Sequence, residues 1–484
     1  MKKVNRMKVT FIKTSIFILL SLILSACSTS AFNDLFSNYN QQMQEVKQAQ
    51  QQGNFQQAIS LIPSRNSGDS SYNLHLLEKA RLAFLATDIE QSQTDFEQVY
   101  QLIQQDQLSA KIELSRGVEN VAAIMSNDNA TRYDIPFYEQ SMLHTYQALN
   151  YLAQKNLSGA LVEVRRANLV QDQALKNNAN NILKNQEKMS AQGLNISKFD
   201  SQYPTMNNAI GNVKNGFQNA YTFYLSALLY EAAGQRNDAY IDYKKALEIY
   251  PNNSYIQQDV WRLANNLSMS ADISLLKTTL PDTIINKNNP LDKKNNGQVI
   301  VITENGIVAA KQEIALNLPI FTRHNQMRFY SVALPSYQNY LTSYSPLSLQ
   351  YQGKRYQSQE IVRLQSLAAK QLKDDLPAMV TRQIVRLVAK EELRQQLSRN
   401  NGELGNLFAS IYNLATEKAD TRSWSTLPDS IHIMRLNLPV GEHNITLNIN
   451  GLNQQVEILV NPDRITLIKL TAIGTFHHYQ TYNL

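Results

Sequence analysis

Apolar positions in the first half of the chain recur at helical spacing and are punctuated at a near-constant interval. From Ala220, the run Phe223, Ala227, Tyr230, Gly234, Ala239, Tyr243, Ala246 and Pro251 fits a helix-turn-helix unit of about 34 residues. Gly234 supplies the turn, Pro251 stops the second helix, and the alanines let the two helices approach closely. A second copy starts near Ser141, with Ala148, Tyr151, Ala160 and Ala167 at matching places. Weaker copies run from Gly53 to Pro63 and from Leu77 to Val99, where Ala80, Ala83 and Phe96 keep the pattern. One such unit cannot cover its own apolar face, so several must stack into a short α-solenoid over residues 27–275. An Asn/Gln-rich stretch, Gln171 to Lys214, interrupts the repeats and reads as a solvated insertion. It carries a helix through Met189 and a loop at Tyr203-Pro204-Thr205-Met206, a candidate recognition loop.

After Trp261 the helical period fades, and prolines, asparagines and Lys293-Lys294 mark a linker over residues 276–297. The pattern then changes to strands: Val299 to Ile302, Ile314 to Leu318, Met327 to Leu334 and Leu347 to Tyr351. Strands return at Ile431 to Leu438, His443 to Ile449, Val456 to Val460 and Ile465 to Ile473. Alternation in Asn444-Ile445-Thr446-Leu447-Asn448-Ile449 predicts half-buried antiparallel pairing. Between the two strand groups lies a helical insertion at about residues 357–420. Its middle helix, Met379 to Gln395, sets Ile384, Val385, Leu387 and Val388 on one side and Arg382, Arg386, Lys390 and Arg394 around the other. Such a helix packs on a core by default, and its basic side is the alternative, a contact with an anionic membrane surface. The fold class is therefore α+β: an all-α solenoid followed by a β-sandwich-like domain, residues 298–484, with a helical insertion.

The solenoid spacing resembles that of tetratricopeptide repeats, departing mainly where Ala227 stands for the usual glycine. The N-terminus has its own pattern. Lys2, Lys3, Arg6, Lys8 and Lys13 precede the apolar run Ile16 to Leu24, too short to span a bilayer as a permanent helix. Leu24-Ser25-Ala26-Cys27 resembles the lipobox of bacterial lipoproteins. That resemblance implies removal of residues 1–26 as a signal peptide and acylation, palmitate included, of Cys27. Each buried methylene contributes about 0.8 kcal/mol, so several acyl chains anchor the protein durably. Ser28, in place of the Asp that retains lipoproteins at the inner membrane, implies export to the outer membrane; the body is expected in the periplasm, with exposure at the cell surface as the alternative.

Composition narrows the partners. The chain carries a net charge of +6, but the signal holds five positive charges and no negative ones, so the mature chain stands at +1 and nucleic acid is not an expected partner. Cys27 is the only cysteine, which leaves no thiol for disulfides, zinc or nucleophilic chemistry after acylation. None of His75, His144, His324, His432, His443, His477 and His478 falls in a metal-ligand spacing, and His477 and His478 would point to opposite faces of a strand. No nucleophile elbow, phosphate loop or dinucleotide fingerprint occurs, so neither a cofactor nor a metal is expected. Carboxylates of Glu403, Glu417 and Asp420 remain as an acid/base set for the alternative reading, a cell-wall-remodelling enzyme.

The segment Ala415 to Pro428 gathers two acids, Arg422 and Trp424. Asp420 and Arg422 can tie down a turn while Trp424 plugs the core; alternatively, Arg422 and Trp424 form a binding hot spot. On the solenoid, Tyr146, Asn150, Tyr221 and Tyr224 are the candidate contacts for a partner protein in the groove.

Tyr138 to Leu152, Val164 to Asn168, Glu304-Asn305-Gly306 and Thr416 to Pro428 resemble a family of uncharacterised bacterial lipoproteins with N-terminal tetratricopeptide repeats. Members are often encoded beside lipoproteins resembling activators of penicillin-binding proteins. The association implies a role in the cell envelope and in peptidoglycan synthesis; together with the repeat groove it makes a non-enzymatic outer-membrane scaffold for a partner protein the leading expectation. Assembly of outer-membrane barrels, a role of other tetratricopeptide lipoproteins, is a further alternative.

Overall fold

A computed structural model describes residues 38–116, 128–191, 199, 201–286, 296–321, 327–389 and 418–484. The signal, Cys27, His324, Lys390, Arg394, Glu403 and Glu417 lie outside the described residues.

The helical half comprises α1 (Tyr39–Gln42), α2 (Gln44–Gln51), α3 (Phe55–Leu61), α4 (Tyr72–Leu85), α5 (Ile89–Arg116), α6 (Phe137–Ala153), α7 (Leu157–Ala191), α8 (Asn207–Ile210), α9 (Ala220–Ala232), α10 (Arg236–Ile249), α11 (Ser254–Asn266), α12 (Ser270–Thr279) and α13 (Asp282–Ile285). The clearest repeat is the α9/α10 pair. Asn219 caps α9 by accepting from the Tyr221 and Thr222 amides, Gly234 turns the chain at φ +76°, and Ala227, Ala239 and Ala246 are fully buried between the helices. Gly53 turns α2 into α3 at φ +78°, and a Cβ there would come within 2.5 Å of the Phe476 ring. Conformation and space both require glycine at that place.

Two helical features differ from the sequence pattern. The α11/α12 hairpin continues the repeats beyond Trp261, because Ile256, Val260, Leu263 and Ala264 bury one face of a helix whose other positions are polar. Helix α7 runs for 35 residues, so much of the Asn/Gln-rich insertion is a continuous extension of a repeat helix.

The second half contains β1 (Asn296–Asn305), β2 (Gln312–Phe321), β3 (Met327–Ser336), β4 (Ser348–Tyr351), β5 (Lys354–Gln357) and β6 (Gln359–Arg363). A helix over 364–389, α14, follows, then β7 (Ser430–Pro439), β8 (Gly441–Ile449), β9 (Leu452–Val460), β10 (Ile465–Ile473) and β11 (Phe476–Asn483). A five-stranded sheet has the order β11-β10-β1-β7-β6, with β1 and β10 parallel and the other neighbours antiparallel. An antiparallel four-stranded sheet has the order β5-β4-β8-β9, and β2 and β3 form a separate hairpin.

The insertion starts later than its sequence pattern predicts, since 359–363 add the edge strand β6 to the large sheet. Within α14, Arg386 is 2 % exposed and pairs with Asp128 at 3.1 Å. It therefore lies with Ile384 and Leu387 on the buried side rather than on a basic outer stripe: a local acidic partner offsets the cost of burying the guanidinium.

Pleating divides the large sheet into two faces. Val299, Val301, Met434, Leu436, Ile468 and Leu470 share one apolar cluster with Leu349, Ile445, Leu447, Val456 and Ile458 of the four-stranded sheet. Ile300, Ile302, Ile431, Ile433 and Leu467 point the other way and join the cluster formed by the helices.

Candidate functional site

The first helices of successive repeats bring polar side chains to a common surface at spacings of three or seven residues: Glu78 and Arg81 on α4, Glu139 and Tyr146 on α6, Tyr221 and Tyr224 on α9, Asp259 and Arg262 on α11. All are buried, because this surface is occupied by the chain itself.

The stretch 418–429 lacks regular helix or strand, and every residue from Thr421 to Asp429 is buried. The amides at its centre, Trp424 to Thr426, are therefore satisfied by side chains of the repeats. Glu139 Oε1 accepts from the Trp424 amide at 3.0 Å, and Glu78 accepts from the Ser425 amide at 2.7 Å, the Ser425 hydroxyl at 2.8 Å and the Thr426 amide at 2.9 Å. Gln50 donates to the Thr426 carbonyl at 3.0 Å. The Trp424 ring meets Phe96 and Tyr146 edge-on, at 5.7 and 6.0 Å between centroids. Burial raises the pKa of Glu78, and pushes Glu139 up to about 7 against the opposing pull of the Trp424 amide, Lys311 and the Tyr133 and Tyr138 hydroxyls.

Arg422 staples the entry of this segment. It pairs with Asp420 through two nitrogens, at 2.9 and 2.7 Å, and donates to the carbonyls of Ser70, Thr131 and Asp128. Asp420 is raised by burial but held below its ordinary range by Arg422, so it is an ion-pair partner with no proton to exchange near neutral pH.

Two buried ionic clusters join the repeats to the large sheet. Glu304 of β1 receives Arg81 at 2.5 Å, Lys469 of β10 at 2.9 Å and the Tyr146 hydroxyl at 3.0 Å. Burial pushes Glu304 up, but Arg81 and Lys469 hold it below the usual carboxylate value; burial brings Lys469 down to about 8. Arg435 of β7 pairs with Asp259 at 2.6 Å and Glu231 at 3.2 Å, and Glu231 also pairs with Arg262 at 2.6 Å.

The proposed groove contacts are all internal to the fold. Tyr146 bonds Glu304, and Tyr224 donates to Asp259 at 3.0 Å. Asn150 instead faces the neighbouring hairpin, donating to Ser92 and Gln147 at 3.0 Å each. Tyr221 is fully buried, with no hydrogen bond to its hydroxyl among the described residues. All four side chains are buried within the chain itself, Asn150 by the neighbouring hairpin, so a separate partner does not reach them. Trp424, 1 % exposed, and Arg422, 4 % exposed, are likewise interior groups rather than a surface hot spot in this arrangement.

Sequence reading missed Glu78, Arg81, Glu139, Glu304, Arg435 and Lys469. The available signal was charge at positions whose neighbours are core residues, as with Glu304 after Val299 to Ile302. Among the described residues, no group of three or more His, Asp or Glu is arranged to hold a metal ion, and no helix is long and apolar enough to cross a membrane.

No protein-family model matches the chain, and no curated protein does. Among solved structures, a kinesin light chain-like protein with nearly identical TPR-like repeats from Podosopora anserina is similar over 52 % of this chain and 96 % of its own, at 13 % identity and a TM-score of 0.27. BtubC (BKLC) from P. vanneervenii is similar over 52 % of this chain and 78 % of its own, at 11 % identity and a TM-score of 0.24. Scores this low say nothing about function. The hairpin geometry described above, Gly234 turn and alanine contacts included, is what makes the helical half a tetratricopeptide-like repeat array, followed by a sheet domain.

Proposed function

We propose that this protein is a non-enzymatic scaffold of the bacterial envelope, tethered to the outer membrane through an acylated Cys27, with its body in the periplasm and its two C-terminal sheets packed as a sandwich-like pair. Support for a protein-binding role comes from one observation: the repeat surface already holds an irregular segment, 421–429, through backbone contacts and an aromatic plug. That surface is chemically a peptide site, occupied internally. A partner then engages the outer surface of the assembled body, and a role beside a peptidoglycan synthase follows from the family resemblance. The enzymatic alternative is disfavoured by the state of Asp420, whose carboxylate is held by Arg422.

In-cell crosslinking followed by affinity purification tests this. The wild-type chain is expected to recover one envelope protein, and the Cys27→Ala chain to lose it. Recovery of no specific partner by the wild type overturns the scaffold reading. Release of soluble fragments when the purified chain is incubated with peptidoglycan overturns the non-enzymatic one.

A further inference from the structure

A cavity of about 730 Å³ opens between the turn after residue 128, the end of α7 and the α14 helix, with Lys311 and Asp420 among its lining. Its size is in the range of small-molecule sites, roughly 300–1,000 Å³. Some of its charges are already paired: Arg422 with Asp420, and Arg386 with Asp128. Others are not. Asp375 accepts a single hydrogen bond, from Gln371 at 2.9 Å, and forms no ion pair among the described residues. Lys311 Nζ donates to the Arg422 carbonyl at 2.8 Å and has no carboxylate within ion-pair distance among the described residues. Asp134, which also lines the cavity and is exposed, has neither a hydrogen bond to its carboxylate nor an ion pair among the described residues.

Groups of both signs that lack an ion-pair partner among the described residues therefore face one open cleft, Asp375 and Lys311 half-buried and Asp134 exposed at its edge. Burial brings Asp375 up to about 6 and lowers Lys311. A ligand of one sign would satisfy one set and leave the other uncompensated. Ala378, Met379 and Val385 supply an apolar wall beside them. We propose that this cavity binds a short zwitterionic peptide, with its ammonium end against Asp375 and Asp134 and its carboxylate end against Lys311. The site adjoins the entry of the buried segment at Asp420 and Arg422 but does not depend on the scaffold reading.

Calorimetric titration of the purified full chain with trialanine tests the proposal. Saturable binding is expected, weakened about tenfold by N-acetylation or by C-terminal amidation, since each cap removes one charge-assisted hydrogen-bonding end. Asp375→Asn should weaken trialanine and its amide while leaving the acetylated peptide unchanged. Lys311→Met should weaken trialanine and the acetylated peptide while sparing the amide. Lys311 also anchors a backbone carbonyl, so a melting curve accompanies its variant; Asp375→Asn carries the test if Lys311→Met does not fold. Absence of saturation up to about 10 mM trialanine, indifference to both caps, or an equal effect of Asp375→Asn on all three peptides would overturn the proposal.

Discussion

The two faces of the five-stranded sheet solve the same burial problem by different means. Toward the four-stranded sheet, Val299, Val301, Leu436, Ile468 and Leu470 form an aliphatic contact that many relative positions of the two sheets would satisfy. Toward the helices, apolar positions are interrupted by Glu304, Arg435 and Lys469: Glu304 and Arg435 are matched by charged or hydroxyl groups on particular repeat helices, and Lys469 by Glu304 itself. A buried ion pair adds little net stability compared with an apolar one, but a shift of one residue in register would leave several charges unpaired. The helix-facing surface therefore selects one seating of the sheet among the repeats, whereas the aliphatic face supplies cohesion without selecting one.

The largest expected effect comes from breaking the first cluster at its centre. Glu304→Ala leaves Arg81 and Lys469 buried side by side, and should cost about 3–5 kcal/mol in denaturant unfolding. Replacing all three together, as Arg81→Met, Glu304→Leu and Lys469→Met, should restore most of that loss. If the triple variant stays as unstable as Glu304→Ala, the cluster stabilises as well as orients, and the distinction between the faces fails.

On the aliphatic face, Leu447→Ala should cost about 3 kcal/mol by opening a cavity between the sheets. It should leave the seating of Trp424 unchanged, read as its fluorescence emission. A red shift would mean that the two faces are coupled through the sheet.

The smallest effect concerns pH and the carboxylates that hold the buried segment. Burial pushes the Glu139 carboxyl up to about 7 in the fold, from an ordinary value of 4.5. The folded state thus binds this proton more tightly; the stabilisation is full below about pH 4.5 and is lost as pH rises through 7. His75 and His432, lowered to about 4 by burial, act in the opposite sense, stabilising above about 6.5 and losing that contribution as pH falls toward 4. Glu139→Gln removes only the first contribution. The melting temperature of the variant relative to wild type should rise between about pH 4.5 and 7; a constant difference would show that Glu139 titrates normally.

Much of the molecule is legible without its structure. The Ala220 to Pro251 hairpin is written by local requirements: a glycine able to take positive φ at residue 234, small residues where helices touch, and a proline where the second must stop. Strands β1, β7, β8, β9 and β10 are legible because apolar alternation or runs of β-branched residues have a short period. Strands β5 and β6 were not, since neither has a run long enough to establish a period.

Of the candidate site, the sequence marked Asp420, Arg422 and Trp424 as unusual and Tyr146, Tyr221 and Tyr224 as repeat-surface residues. That they belong to the same interior followed only from the tertiary structure. Contacts such as Glu78 with Ser425 join positions 347 apart in the chain, and no local periodicity encodes a pairing at that distance. The sequence by itself determined the kinds of element and the chemical nature of their faces, because those follow from the geometry of a few neighbouring residues. Which faces meet, and that the repeat surface holds the chain's own segment, was decided by long-range packing: buried amides and charges find partners only where the assembled fold brings them together.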